Sequence, residues 1–406
     1  MSPYHPLTEA EAIARARAVT NVFTQDAKLV CREIGDGNLN LVFHVSEAGS
    51  SRSLILKQAL PYAKVVGESW PLTLDRARIE SEALIIQGRL APGLVPIVHE
   101  YNADLALTIM EDLSDHIIMR RGLIEGATYP LFAKHIGEFL ARTLFFTSDF
   151  GMNRQEKKLQ SGRFINPELC KITEDLIFDD PYTNSPNNNI DPGIADVAQA
   201  LWTDHELHRE VARLRYGFLT KGQALLHGDL HTGSIFVTAQ STKVIDPEFA
   251  YYGPMGFDIG AVLANLLLNY AAQGGRMADE QDCARMRKYL RETVVHVWEQ
   301  FESTFRTLWN SHCSDRLLRE AGYVDTFLAE LLQDTIGYTG SKMVRRIVGL
   351  AHVADIDGIQ DTALRNRAQR AALAAGVALI KQHRKVTTIN ELCDMAIHHI
   401  AHEEGR

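Results

Sequence analysis

Apolar and polar positions alternate with two different periods along this chain, and the change from one to the other divides it. Near the start, Thr8 followed three residues later by Glu11 has the spacing of a capping box and predicts a helix over Thr8–Val19. Val30–Ile34, Asn40–Ser46 and Ser53–Gln58 are then short β-prone runs. The segment GDGNLN between the first two is rich in residues that accept unusual backbone angles, so a hairpin meander is expected. Asp75–Leu90 carries Ala77, Ile79, Ala83, Ile86 and Leu90 in helical rhythm, closed by Pro92 and Gly93. Val95–His99 and Leu105–Met110 predict two more strands, ending at Glu111-Asp112-Leu113. Beyond them helical patterning runs to the C-terminus, interrupted around Leu226–Ile245 and by the Asn- and Pro-rich loop Asp179–Gly193. The expectation is an α+β protein of two lobes. A small β-rich lobe with an antiparallel sheet spans residues 1–112, and a larger, mainly helical lobe spans 113–406.

A chain of 406 residues, 46% hydrophobic and 23% charged, can bury a large core. Its net charge of −9 argues against a polyanion binder, so a small substrate is expected and nucleic acid is not. Five cysteines, Cys31, Cys170, Cys283, Cys313 and Cys393, are scattered without a CxxC pair, which argues against a disulfide framework or zinc knuckle and fits a reducing cytoplasm. The N-terminus lacks the cationic start and apolar run of a secretory signal, and the most apolar stretch, Ile259–Leu268, is about half of what a bilayer span needs, so no membrane association is expected.

The candidate chemistry centres on Leu226–Asp258, where two acidic clusters are each bounded by β-type sequence. Such a pair suits phosphoryl transfer: Asp229 would orient an attacking hydroxyl, while Asp246 and Glu248 would hold magnesium against the phosphates of ATP. Read as a metallohydrolase fragment, His227, Asp229 and His231 are also competent zinc ligands. The downstream DPE, however, offers hard oxygen donors suited to magnesium. GDGNLN lies between two strands rather than between a strand and a helix, so it is not a Walker loop. A hairpin containing Gly37 can instead fold over phosphates, with Asn40 where a third glycine often stands. Lys57 ends the alternation SLILK and is followed by a helix with Glu80 and Glu82, the pattern of a phosphate-binding lysine paired with a helix carboxylate. Residues two apart point to different helix faces, so one glutamate at most is the partner, with Glu80 preferred. Glu111-Asp112-Leu113 is either an acidic turn or a hinge offering backbone groups to adenine, and its position relative to Lys57 favours the hinge. Arg345 and Arg346 interrupt the otherwise apolar KMVRRIVGL, where they are costly to bury unless they meet charge; a salt bridge on a helix face is the alternative. His398, His399 and His402 cluster near the C-terminus, and exposed tail histidines need no metal.

HGD followed by a short strand and an acidic metal segment resembles the aminoglycoside phosphotransferase and choline kinase superfamily. That resemblance implies a bilobal, protein-kinase-like fold. Two departures narrow it: Ser234 stands where the superfamily has a magnesium-binding Asn, and the metal segment is DPE, so that Glu248 would supply the missing oxygen. With GDGNLN, VVGESWPLTLDRARIESEAL, DPEFAYYGPMGFDIG and RRIVGLAHVADI, the likeness runs from about residue 30 to about residue 360. It implies ATP-dependent phosphorylation of the 1-hydroxyl of 5-methylthioribose in methionine salvage, in a cytoplasmic homodimer. By the same resemblance Asn40, Lys57, Glu111, Asp112, Leu113, Asp246, Pro247 and Glu248 contact ATP or its magnesium, and Asp229, Arg345, Arg346 and Trp70 contact the sugar. Trp70 would lie in a closing loop. The alternatives are a kinase of an aminoglycoside, choline or homoserine, or a nucleotide-binding pseudokinase. The twin arginines argue against the cationic substrates.

Overall fold

The computed structural model describes residues 4–34, 40–63 and 67–405, with only the backbone of 63 and 67–71. The capping box is present. Glu11 N donates to Thr8 Oγ1 at 3.3 Å, Thr8 N donates to Glu11 Oε2 at 2.9 Å, and the helix runs Glu9–Ala18. It covers one face of a five-stranded antiparallel sheet ordered Leu29–Glu33, Asn40–Glu47, Ser53–Ala59, Leu107–Glu111, Val98–Asn102. Ala12 and Ala16 pack there against Phe43, Val45, Leu54 and Leu56. Successive strand residues point to opposite faces, so Ile55 and Lys57 leave this core and face the helix Asp75–Leu90.

That helix has the bounds its periodicity predicts, but the fourth predicted strand is displaced, to Val98–Asn102. Pro96 has no N–H to donate, and pairing starts where Ile97 O accepts from Glu111 N at 2.8 Å. Trp70, expected in a loop, lies instead in the strand Gly67–Pro71, which pairs with Tyr62–Ala63; its side chain and Gly37 lie outside the described residues.

The rest is mainly helical, giving the expected α+β architecture of a small sheet-bearing part and a larger helical part. Its central helix, Met255–Arg276, is longer than the apolar run Ile259–Leu268 suggested. It has the length and composition to cross a bilayer, yet 94% of its most apolar window is buried inside the protein. It packs against Glu280–His312, Tyr323–Val348 and Thr362–Gln382. Strands of two or three residues frame the segment between Leu226 and Tyr251: Ala224–Leu225 pairs with Tyr252–Gly253, and Ile235–Val237 lies between Ile117–Ile118 and Thr242–Val244. Gly228 sits at φ +87°, and a Cβ there would be 2.2 Å from Phe249 O, so the turn into Asp229 needs glycine on two counts.

Helices Tyr323–Val348 and Thr362–Gln382 touch backbone to backbone at Gly340, where a Cβ would be 2.5 Å from Gly376 O and 2.9 Å from Ile380 N. Gly340→Ala is expected to lose about 1–3 kcal/mol of stability by forcing these helices apart. Urea unfolding measures this, and an unchanged midpoint would contradict the packing described.

Candidate active site

Lys57 Nζ leaves the inner face of the sheet and donates to Glu80 Oε1 at 2.7 Å and to Asp246 Oδ1. Glu82 turns away to Arg78 and Arg163, which settles the choice of helix partner. Glu248 stands beside this group, and ligand oxygens of Glu80, Asp246 and Glu248 lie within 4.8 Å of one another. Asp246 adopts φ +68°, an angle Asp tolerates better than most side chains, directly before the buried Pro247. Arg76 anchors the far side. Its buried Nη1 donates to Glu248 Oε2 at 2.6 Å and to Asn40 Oδ1 at 2.5 Å, and its Nη2 to Leu60 O at 2.9 Å. Three carboxylates thus face two cations. Burial, together with Asp246 and Glu248, outweighs Lys57 and raises the Glu80 carboxyl to about 7; burial and Asp246 likewise raise Glu248 against Lys57 and Arg76. An extra cation would relieve this crowding, and hard carboxylate oxygens suit magnesium.

Beside this group, with His231 acting on both Asp246 and Asp229, stands Asp229, a quarter exposed. The turn carrying it is held from behind: the N–H groups of His227 and Gly228 donate to the two oxygens of Asp258 at 2.6 and 3.0 Å. His227 Nε2 donates to Ile245 O at 2.8 Å, which leaves Nδ1 to accept from Asp229 N at 3.3 Å. Both ring nitrogens are occupied structurally, so His227 is no zinc ligand. Around the Asp229 carboxylate stand His231 at 3.4 Å and Lys342 at 3.4 Å, with Arg345 and Arg346 beyond. Burial pushes the Asp229 carboxyl up, but His231, Lys342, Arg346 and Arg345 outweigh it and hold it well below its usual range. Burial, with Arg120, Arg346 and Lys342 adding to it, outweighs the attraction of Asp229 and pushes His231 well below its ordinary value. Ser234 Oγ lies 3.2 Å from His231 Nδ1 and 3.4 Å from Asp229 O; it fixes that ring. Arg346 is braced by Ala351 O and His352 O, whereas Arg345 Nε and Nη1 are buried with no hydrogen-bond partner among the described residues.

At the end of the sheet, Glu111 pairs with Lys243 Nζ at 3.1 Å and accepts from Ile97 N at 3.0 Å. Asp112 accepts from Ser53 Oγ, His44 Nε2 and Ser114. Both side chains are spent on fixing the segment, and Leu113 is buried. Only backbone groups there are left for a ligand. Among the described residues the sole cluster fit for a metal is Glu80, Asp246 and Glu248; the tail histidines form none. Arg76, Arg120 and Lys342 were not singled out as site residues from the sequence alone, and His231 was considered only as a zinc ligand. For Lys342 a signal existed, since KMVRR places 342, 345 and 346 on one helix face.

A family model described as the phosphotransferase enzyme family matches residues 30–289. The chain belongs to that family and is a phosphotransferase. Within it, the chain is 50% identical to a methylthioribose kinase of a Geobacillus species (strain WCH70) over 96% of this chain and 95% of that one. It is 47% identical to the methylthioribose kinase of Yersinia enterocolitica over 97% and 98%. It therefore belongs to the methylthioribose kinase family. Among solved structures, an ethanolamine kinase of Plasmodium vivax aligns at 13% identity with a TM-score of 0.46, over 89% of this chain and 84% of that one.

Arg76→Ala leaves Glu248 and Asn40 without a buried partner, and is expected to cost on the order of 3–5 kcal/mol in urea unfolding. Arg76→Lys should restore only part, because an ammonium cannot span the three acceptors as a planar guanidinium does. A loss within about 0.5 kcal/mol, the range of an ordinary surface substitution, would contradict the anchoring role.

Proposed function

We propose that this chain transfers the γ-phosphoryl group of ATP to the 1-hydroxyl of 5-methylthioribose, giving 5-methylthioribose 1-phosphate in methionine salvage. The observation that carries the reading is the division of the cleft, with carboxylates grouped at Asp246 and cations grouped around Asp229. The name and full-length similarity of the relatives supply the substrate.

In this reading residues 1–112 and 113–406 form two lobes with the nucleotide between them. Asn40, Lys57 and backbone groups of Glu111–Leu113 bind ATP, and Asp246, Pro247 and Glu248 line its phosphates. Asp246 and Glu248 would hold magnesium, which when bound neutralises phosphate charge. Asp229 accepts the hydrogen bond of the 1-hydroxyl and aims its oxygen at the γ-phosphorus. Because its neighbours keep it ionised, it orients more than it deprotonates; the hydroxyl proton passes to it late, as the new phosphorus–oxygen bond forms and the bond to the leaving ADP breaks. Arg345 and Arg346 hold the sugar hydroxyls and the moving negative charge, and Trp70 closes over the sugar. A cationic pocket does not suit choline or an aminoglycoside, which would bring further positive charge. A cytoplasmic homodimer completes the proposal.

A coupled ADP-release assay with ATP and magnesium, comparing 5-methylthioribose with ribose, choline and kanamycin, should give turnover with the thiosugar far above the others. Preference for choline or kanamycin would overturn the assignment. Asp229→Asn should retain ATP binding and lose about 10²–10⁴-fold in kcat, whereas near-normal turnover would remove Asp229 from its role.

A further inference from the structure

We propose that Lys342 is a positioning residue for the reaction, holding the Asp229 carboxylate ionised and aimed at the acceptor hydroxyl while adding a third positive charge beside Arg345 and Arg346. This rests on the phosphoryl-transfer reading above and assigns a further residue to it.

The placement is specific. Lys342, Arg345 and Arg346 stand at i, i+3 and i+4 on the helix Tyr323–Val348 and share one face. Lys342 is 5% exposed, its Nζ donates to Asp229 Oδ1 at 3.4 Å, and it lies 4.1 Å over the ring of Phe257. The other charged groups acting on it are Arg345, Arg346 and Asp258, and His231 shares its partner Asp229. Both oxygens of Asp258 are already taken by the N–H groups of His227 and Gly228, so among the described residues Asp229 is the carboxylate Lys342 hydrogen-bonds. Three cations on one face repel, and the negative end of the helix dipole offsets this only in part.

Stability does not account for the arrangement. Replacing Lys342 alone leaves Asp229 a quarter exposed and still beside Arg345 and Arg346, so no uncompensated buried charge results, and relief of the lysine's own burial offsets the lost ion pair. The charge instead meets a requirement of the reaction. Asp229 must stay an acceptor while negative charge gathers on the incoming phosphoryl group a few ångströms away, and without cations beside it that charge would repel the carboxylate or favour its protonation. Arg345 and Arg346 are the cations assigned to the phosphoryl oxygens; Lys342, hydrogen-bonded to Asp229, serves the aspartate. Burial, then the two arginines, lower the Lys342 ammonium to about 8 despite Asp229, so its charge is lost just above neutrality. The sign follows: Lys342 is protonated below about 8 and neutral above it, so turnover that needs its charge falls as pH rises through that value.

Three measurements test this. In the wild-type protein, kcat/KM for the acceptor should show an alkaline limb near pH 8. Lys342→Met should lower kcat by at least tenfold with KM for ATP little changed and thermal stability equal or higher, and should abolish the limb. Lys342→Arg, which stays charged, should recover much of kcat and move the limb to higher pH. Wild-type kcat with an unchanged limb in Lys342→Met would overturn the proposal, as would a Lys342→Arg profile identical to wild type. A third readout needs no substrate. In protein labelled with ¹³C at the lysine ε-carbon, the Lys342 resonance should titrate near 8, and Asp229→Asn should lower that midpoint because the attracting carboxylate is gone. An unmoved midpoint overturns the coupling even if the acceptor proves to be another molecule, whereas loss of thiosugar turnover in wild type with the midpoint shifted as expected would sink the assigned substrate alone.

Discussion

Charges of one sign crowded into a largely buried site leave an imbalance that bound reactants can neutralise, and that constraint organises this protein. On one side Glu80, Asp246 and Glu248 share Lys57 and Arg76. On the other, Lys342, Arg345 and Arg346 surround Asp229. Each group is incomplete by itself: the first lacks a cation and the second lacks an anion. ATP, its metal and a phosphoryl group in transit would supply both at once, so the binding energy of the reactants goes where the fold has left charge unbalanced.

The rest of the fold can be understood as the means of holding that imbalance still. The sheet aims Lys57 inward by its period of two, the helix Asp75–Leu90 brings Glu80 and Arg76 to meet it, and Asp258 clamps the turn before Asp229 through two backbone N–H groups. None of these contacts is to a reacting atom. Their effect is to keep the carboxylates in place without reorganisation when the reactants arrive.

Much of this was legible in the chain, and what was not has physical causes. The capping box, the first three strands and the helix Asp75–Leu90 follow from local spacing, and local spacing survives folding. The fourth strand shifted because pairing, decided by Glu111 and Pro96, outweighed the run of apolar residues around Val95. Strands of two or three residues around Leu226–Tyr251 carry no periodicity to read. Asp229, Asp246, Glu248 and Lys57 stood out as acidic or basic residues at strand ends. Arg76 did not, because in DRARIESEAL an arginine reads as solvated surface, and only the approach of Asn40 and Glu248, distant in sequence, makes it a buried anchor. Ser234 was read as a weak metal ligand answered by Glu248; in the structure its hydroxyl contacts His231 and so serves the Asp229 side of the cleft.

The division of charge is tested most directly by electron paramagnetic resonance of Mn²⁺, standing in for magnesium, titrated into the protein with a non-hydrolysable ATP analogue. The account predicts Mn²⁺ bound together with nucleotide in the wild-type protein, and affinity weakened by about tenfold or more in both Asp246→Asn and Glu248→Gln. Wild-type Mn²⁺ affinity in both variants would contradict it.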